Sequence, residues 1–176
     1  IITEITSGLI IIDQHVAHER ILYESAKENL ENKGIISQKM LFPKVLKFDP
    51  EDYTYLLEII IYLEKIGFDF REFGENTIII EGSPNNLPFG KEEEIIKDII
   101  DQYKKTKKAN SEFVEYLAAT YACKAAIKAG DKLDSIECKE LVDKLFSTKH
   151  PYYCPHGRPI IINLTINDLD KRFERH

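Results

Sequence analysis

The sequence predicts an α+β fold of two subdomains. One is discontinuous, a sheet plus helices contributed by both chain ends, and the other is an inserted β-α-β-β-α unit. Three observations predict this. Short apolar strands occur at both ends, Ile1 to Ile12 and Pro159 to Leu164, so the ends share a sheet. The stretch between Val45 and Lys108 alternates strand and helix signals as a self-contained unit. The 176 residues, 43% hydrophobic and 31% charged, suffice for an ordinary core, since a chain of this length buries roughly 70% of the surface its unfolded form exposes.

Each element has its own signal. Ile1 to Ile5 reads as a strand, Thr6-Ser7-Gly8 as a turn and Leu9 to Ile12 as a second strand. From His15 to Lys33 the pattern is helical, with Ile21, Leu22, Ala26 and Leu30 on one side and Gly34 as the terminal cap. Ile35 to Lys44 is an extended linker, and Val45 to Phe48 a short strand. Asp49 is a good N-cap and Pro50 a good first helical residue, so a helix runs to Ile66 and stops at Gly67. Phe68 to Phe73 and Thr77 to Ile80 form a hairpin across Gly74-Glu75-Asn76, and a helix follows from Lys91 to Lys108. Asn110-Ser111 caps a helix from Glu112 to Ala129, closed by Gly130, and another runs from Ile136 to Phe146. A loop, His150 to Arg158, leads into the last strand, and Thr165 with Asp168 forms a capping box for a terminal helix. The resulting divisions are 1–36 with 109–176, a linker at 37–44, and an insertion at 45–108.

Composition excludes disorder, collagen and coiled coil. With 24 basic and 30 acidic side chains the formal charge is −6, which argues against a broad basic surface for nucleic acid. If the chain works on DNA, something else must bring it there. Three scattered cysteines suit a reducing compartment, so the cytoplasm is expected. No apolar run approaches the ~18 residues of a membrane span, and no membrane partner is expected. The chain lacks an initiator methionine and is read as a fragment of something longer. Phosphate-binding glycine loops and the Gly-x-Ser-x-Gly elbow are missing, and a His-Glu-x-x-His helix is broken at Leu22.

Chemistry concentrates in two places. Asp13, His15 and Glu19 sit where a strand hands over to a helix, and His15 and Glu19, one turn apart, project from one face. Such a pair can bind one metal ion. Glu24, nine residues from His15 and about 180° round the helix, reads as a solvated carboxylate or salt-bridge partner. In the loop before the last strand, Cys154-Pro155-His156 sets a thiol and an imidazole two residues apart on stiffened backbone, a two-ligand tooth for zinc. Cys123 reads either as a third thiol or as a small buried apolar residue among Ala118, Ala119, Ala122, Ala125 and Ala126. Cys138 reads as packing.

These residues carry a resemblance. Asp13-Gln14-His15-Val16-Ala17-His18-Glu19-Arg20-Ile21-Leu22-Tyr23-Glu24 resembles the endonuclease signature of the MutL mismatch-repair family, with Val16 where alanine is usual. Ala122-Cys123-Lys124 with Ala126-Ile127-Lys128-Ala129-Gly130 is similar to a second family motif, and Cys154-Pro155-His156-Gly157-Arg158-Pro159 to a third. The resemblance implies a metal-dependent endonuclease that nicks one strand of duplex DNA. It implies Asp13 and Glu19 as catalytic carboxylates, and Asp13, His15, Glu19, Cys123, Cys154 and His156 as metal ligands. Zinc is expected as a tight structural or regulatory ion and manganese or magnesium as the weaker catalytic one.

Gln38-Lys39-Met40-Leu41-Phe42-Pro43 resembles the peptide by which MutL proteins dock on the replicative sliding clamp, so Gln38, Met40, Leu41, Phe42 and Pro43 are the expected partner contacts. The family further implies a homodimer formed by the discontinuous subdomain, a regulatory insertion, MutS as partner, weak DNA affinity alone and a nucleoid-associated cytoplasmic protein. Arg158 is read as contacting a DNA phosphate or pairing with a carboxylate near the ions. Phe173-Glu174-Arg175-His176 resembles the ending of a eukaryotic paralogue whose last residue reaches the metal, but His176 is left out of the site. The competing reading is a zinc-stabilised dimerisation and docking module without catalysis. It explains the cysteines, but not why Asp13 and Glu19 flank His15.

Overall fold

A computed structural model describes residues 1–32, 34, 37–88, 90–106, 111–128 and 130–174. The expected helix end at Lys33, the divisions at 36 and 109, the Asn110 cap, the helix end at Ala129 and the fate of His176 lie outside the described residues. The fold is α+β, and the chain forms two compact units, Ile1–Ile21 with Ala126–His176 and Leu22–Ala125.

The first unit carries an antiparallel sheet of β1 (Ile2–Ile5), β2 (Gly8–Ile12) and β6 (Ile161–Thr165), in the order β1-β2-β6. Both chain ends therefore enter one sheet. Gly8 has φ +147°, and a Cβ there would lie 2.1 Å from the carbonyl oxygen of Leu164, so only glycine allows β2 and β6 to pair at that point. Helix α1 (Gln14–Glu31) starts directly after β2. The Asp13 amide donates to the Ile160 carbonyl (3.0 Å), tying the helix start to the chain entering β6. Alternation in β2 sends Ile10 and Ile12 inward, where Ile12 packs with Val16, Ala17, Leu141, Leu145, Cys154 and Ile160. Leu141 and Leu145 come from α5 (Ser135–Phe146), whose N-cap Asp134 makes a reciprocal capping box with Glu137. Thr165 and Asp168 make the expected box before α6 (Ile166–Arg172).

The second unit holds a sheet of β3 (Gln38–Lys47), β4 (Asp69–Gly74) and β5 (Thr77–Ser83), ordered β3-β5-β4 and antiparallel. It also contains α2 (Pro50–Lys65), α3 (Glu92–Thr106), α4 (Ser111–Ala125) and the later part of α1. The sheet turns its inner face, Leu46, Ile78 and Ile80, into a core with Leu56, Ile59, Leu63, Ile95 and Ile99. The rings of Tyr62 and Tyr103 meet Phe113 edge-on, with centroids 5.7 and 5.2 Å away. The hairpin turns at Glu75 and Asn76, both at positive φ, as a tight hairpin requires.

The largest change among the strands is in β3. The short strand Val45 to Phe48 is the end of a longer one, β3, that begins at Gln38 inside the expected linker. Lys39 pairs with Gly82 and Lys44 with Ile80, so Met40–Pro43 bulge opposite Glu81. Pro43 has no N–H to give the ladder. The bulge leaves Leu41 92% and Phe42 78% exposed.

Candidate metal centre

Glu19 is fully buried, 0% exposed, on the face of α1 turned to the loop before β6. Ionised carboxylates are costly to bury unless paired or bound to a cation. One oxygen, Oε2, accepts from Arg158 Nη2 at 3.1 Å. The other, Oε1, has no hydrogen-bond donor among the described residues, although His156 Nδ1 stands 3.0 Å away. An oxygen and a ring nitrogen at this distance repel unless a proton or a cation lies between them. The thiol of Cys154, 2% exposed, shares the spot: ligand atoms of Glu19, Cys154 and His156 all lie within 4.8 Å of one another. Carboxylate, thiol and imidazole form a donor set suited to zinc, which would sit between Oε1 and His156 Nδ1 and balance the buried negative charge. The residues fit a metal ion.

The loop that carries these groups is braced by its own hydrogen bonds. Cys154 N–H donates to the Arg158 carbonyl and Gly157 N–H to the Cys154 carbonyl, both at 2.9 Å. Gly157, at φ +82°, turns the chain back, and the Arg158 amide donates to Cys154 Sγ at 3.3 Å. The pKa of Arg158 lies above its usual value through its hydrogen bonding to Cys154 and then the charge of Glu19. Of the two sequence readings of Arg158, the carboxylate pair is the one observed.

The other expected ligands are placed differently. Asp13 is exposed, and its Oδ1 accepts the amides of His15 (3.0 Å) and Val16 (3.1 Å), so it caps α1. His15 Nδ1 lies 2.7 Å from the Ile127 carbonyl and donates to it, which leaves Nε2 with the lone pair. Neither belongs to the close group of Glu19, Cys154 and His156. Cys123 is in the second unit and is exposed, which corrects the buried-packing reading. The inner face of α4 is Leu117, Ala118, Tyr121, Ala122 and Ala125, and Cys123 is turned about 100° away from Ala122. Glu24 also lies in the second unit, half-buried.

Sequence reasoning missed three α1 residues that tie this helix to other segments of the first unit. Arg20, 7% exposed, donates from Nε to the Tyr153 carbonyl at 2.7 Å, beside Cys154. His18 Nδ1 accepts the Ile127 amide at 3.0 Å, so with His15 it grips both polar groups of one peptide residue. Burial first, then Lys144 and His15, hold the His18 pKa below its usual value and keep the ring an acceptor. Gln14 Nε2 donates to the Asp131 carbonyl at 2.7 Å. The one available signal was the spacing of Gln14, His15 and His18 on neighbouring faces of a helix.

A family model described as the MutL C terminal dimerisation domain matches residues 1–133, a stretch that includes Asp13 to Glu19 and ends before Cys154. Among curated proteins, the chain is 44% identical to the DNA mismatch repair protein MutL of Chlorobium luteolum, and 45% to those of Pelodictyon phaeoclathratiforme and Chloroherpeton thalassium. Each alignment covers 99% of this chain and 28% of the relative. The chain thus spans little more than a quarter of the proteins it matches.

Proposed function

The chain belongs to the family of MutL C-terminal dimerisation domains, and from that premise we propose that it is a metal-dependent endonuclease domain that nicks duplex DNA in mismatch repair. The observation that carries this is the buried carboxylate of Glu19, one oxygen held by Arg158 and the other without a hydrogen-bond donor among the described residues, facing the thiol of Cys154 and the imidazole of His156. Bound divalent cations supply charge compensation at a scissile phosphate and a water of lowered pKa.

The chain's own groups do the rest. Glu19 offers Oε1, Cys154 a thiol that prefers zinc, and His156 a ring nitrogen. His15, its tautomer set by the Ile127 carbonyl, has Nε2 to offer. Asp13 and Glu19 are the proposed catalytic carboxylates. Asp13 and Cys123 complete the proposed ligand set on the resemblance. Zinc is proposed as the structural or regulatory ion, and manganese or magnesium as the ion of turnover. The acidic surface, charge −6, accords with weak DNA affinity and with recruitment by the sliding clamp and MutS, because tethering raises effective concentration. Gln38, Met40, Leu41, Phe42 and Pro43 are the proposed clamp contacts. The exposed bulge supports that role, and the same segment lines a cavity of about 440 Å³ with Pro84 and Leu87.

Homodimerisation has its own support. Ile2, Ile11 and Ile162 form a row across the sheet, and Leu9 pairs with Leu164 on the same face. Ile2 is 69% and Ile162 50% exposed. An apolar sheet face open to water suits a second copy.

The test is nicking of supercoiled plasmid with manganese, with and without clamp. The parent is expected to nick, and Asp13→Asn and Glu19→Lys to lose at least tenfold of that rate. A parent that stays inert even with clamp, or two variants that nick as the parent does, would sink the enzyme reading. The second reading, a zinc-stabilised dimerisation and docking module, is favoured by one observation: Asp13 serves as a helix cap outside the close ligand group.

A further inference from the structure

Arg158 reaches the centre twice. Its amide donates to Cys154 Sγ (3.3 Å), and its guanidinium, across 139 residues of sequence, donates to Glu19 Oε2 (3.1 Å). The main-chain bonds between Cys154 and Arg158 fix where that side chain starts. We propose that Arg158 is a positioning residue that makes Glu19 a one-oxygen ligand, holding Oε2 so that Oε1 alone turns to the cation shared with Cys154 and His156. This rests on the metal reading above.

A carboxylate binds a cation through one oxygen or through both. With Oε2 held by a charge-assisted hydrogen bond, two-oxygen ligation has to break that bond. Guanidinium has donors only and is not deprotonated in proteins, so it neither competes for the ion as a ligand nor leaves by losing its proton. At a tetrahedral ion, one oxygen, one thiolate and one imidazole leave one position for a further ligand such as His15 Nε2, a position that a second Glu19 oxygen would otherwise crowd. A lysine at 158 would keep the charge but not the planar fork.

The test uses Arg158→Gln and Arg158→Lys in the 176-residue chain. Both leave the amide bond to Cys154 intact and so isolate the guanidinium. Zinc affinity is measured by competition with a chromophoric chelator, and coordination number from the visible absorption of the cobalt(II) form. Zinc affinity is expected to fall about 10- to 100-fold in Arg158→Gln, because a freed carboxylate must be ordered on binding. The cobalt bands weaken as both oxygens close on the ion, and Arg158→Lys falls between. In a Glu19→Gln background, replacing Arg158 is expected to change zinc affinity no further.

Parental affinity and spectrum in both variants, or a loss that adds fully to that of Glu19→Gln, overturn the proposal while leaving the metal reading intact. A parent that binds neither zinc nor cobalt overturns both. Should Arg158→Gln fail to fold by circular dichroism, Arg158→Lys, which keeps a cation beside the buried carboxylate, decides the matter by the same two readouts.

Discussion

Ile127 shows how much one residue's backbone decides. A continuing helix would aim its amide at the carbonyl of Cys123. Instead the amide donates to His18 and the carbonyl accepts from His15, and α4 ends at Ala125, short of Ile127, which the sequence pattern places inside that helix. Local sequence favours a longer helix, since alanines dominate there, but two imidazoles more than a hundred residues away hold the competing bonds. His18→Leu is therefore expected to leave a part-buried N–H unpartnered and to cost about 1–3 kcal/mol. Urea unfolding would measure it, and an unchanged midpoint would remove the clasp from the account. Glu19 was legible in sequence as a candidate ligand by its i, i+4 relation to His15, whereas its close partners are Cys154 and His156, which spacing on one helix has no means to reveal.

At the scale of elements, the local signals held where the physics is local. Caps are such a case, because side chain and amide lie within three residues. Asp49, Asp134 and Thr165 all cap their helices. Asp134→Ala is expected to cost about 1 kcal/mol, within the range of 0.5–2 for lost N-caps. A thermal melt should show a lower Tm with the far-ultraviolet spectrum retained, and an unshifted Tm would deny α5 its dependence on the box. Strand β3 was underestimated for a non-local reason. Its first residues, Gln38 and Lys39, pair with Ser83 and Gly82 across a bulge, and a pairing that skips four residues leaves no period-two pattern to read. That same irregularity turns Leu41 and Phe42 outward, where the proposed docking would use them.

For the molecule as a whole, the testable consequence is assembly. The open apolar face of β1, β2 and β6 predicts that Ile162→Asp converts a dimer to monomer at micromolar concentration. Sedimentation equilibrium reads this directly, and a parent that is monomeric throughout would refute the use of that face. A charge at Ile162 meets water in the monomer, where the residue is half exposed, so folding should survive. Sequence by itself determined the α+β class, the sharing of one sheet by both chain ends, the helix caps and the set of chemically able residues, because each depends on periodicity, composition or contacts within a turn. Only the tertiary structure decided that Glu19, Cys154, His156 and Arg158 meet, that Asp13 spends an oxygen on a cap, and that Cys123 faces outward. Those facts depend on bonds between residues up to 139 positions apart, set by packing of strands and helices and written in no local pattern.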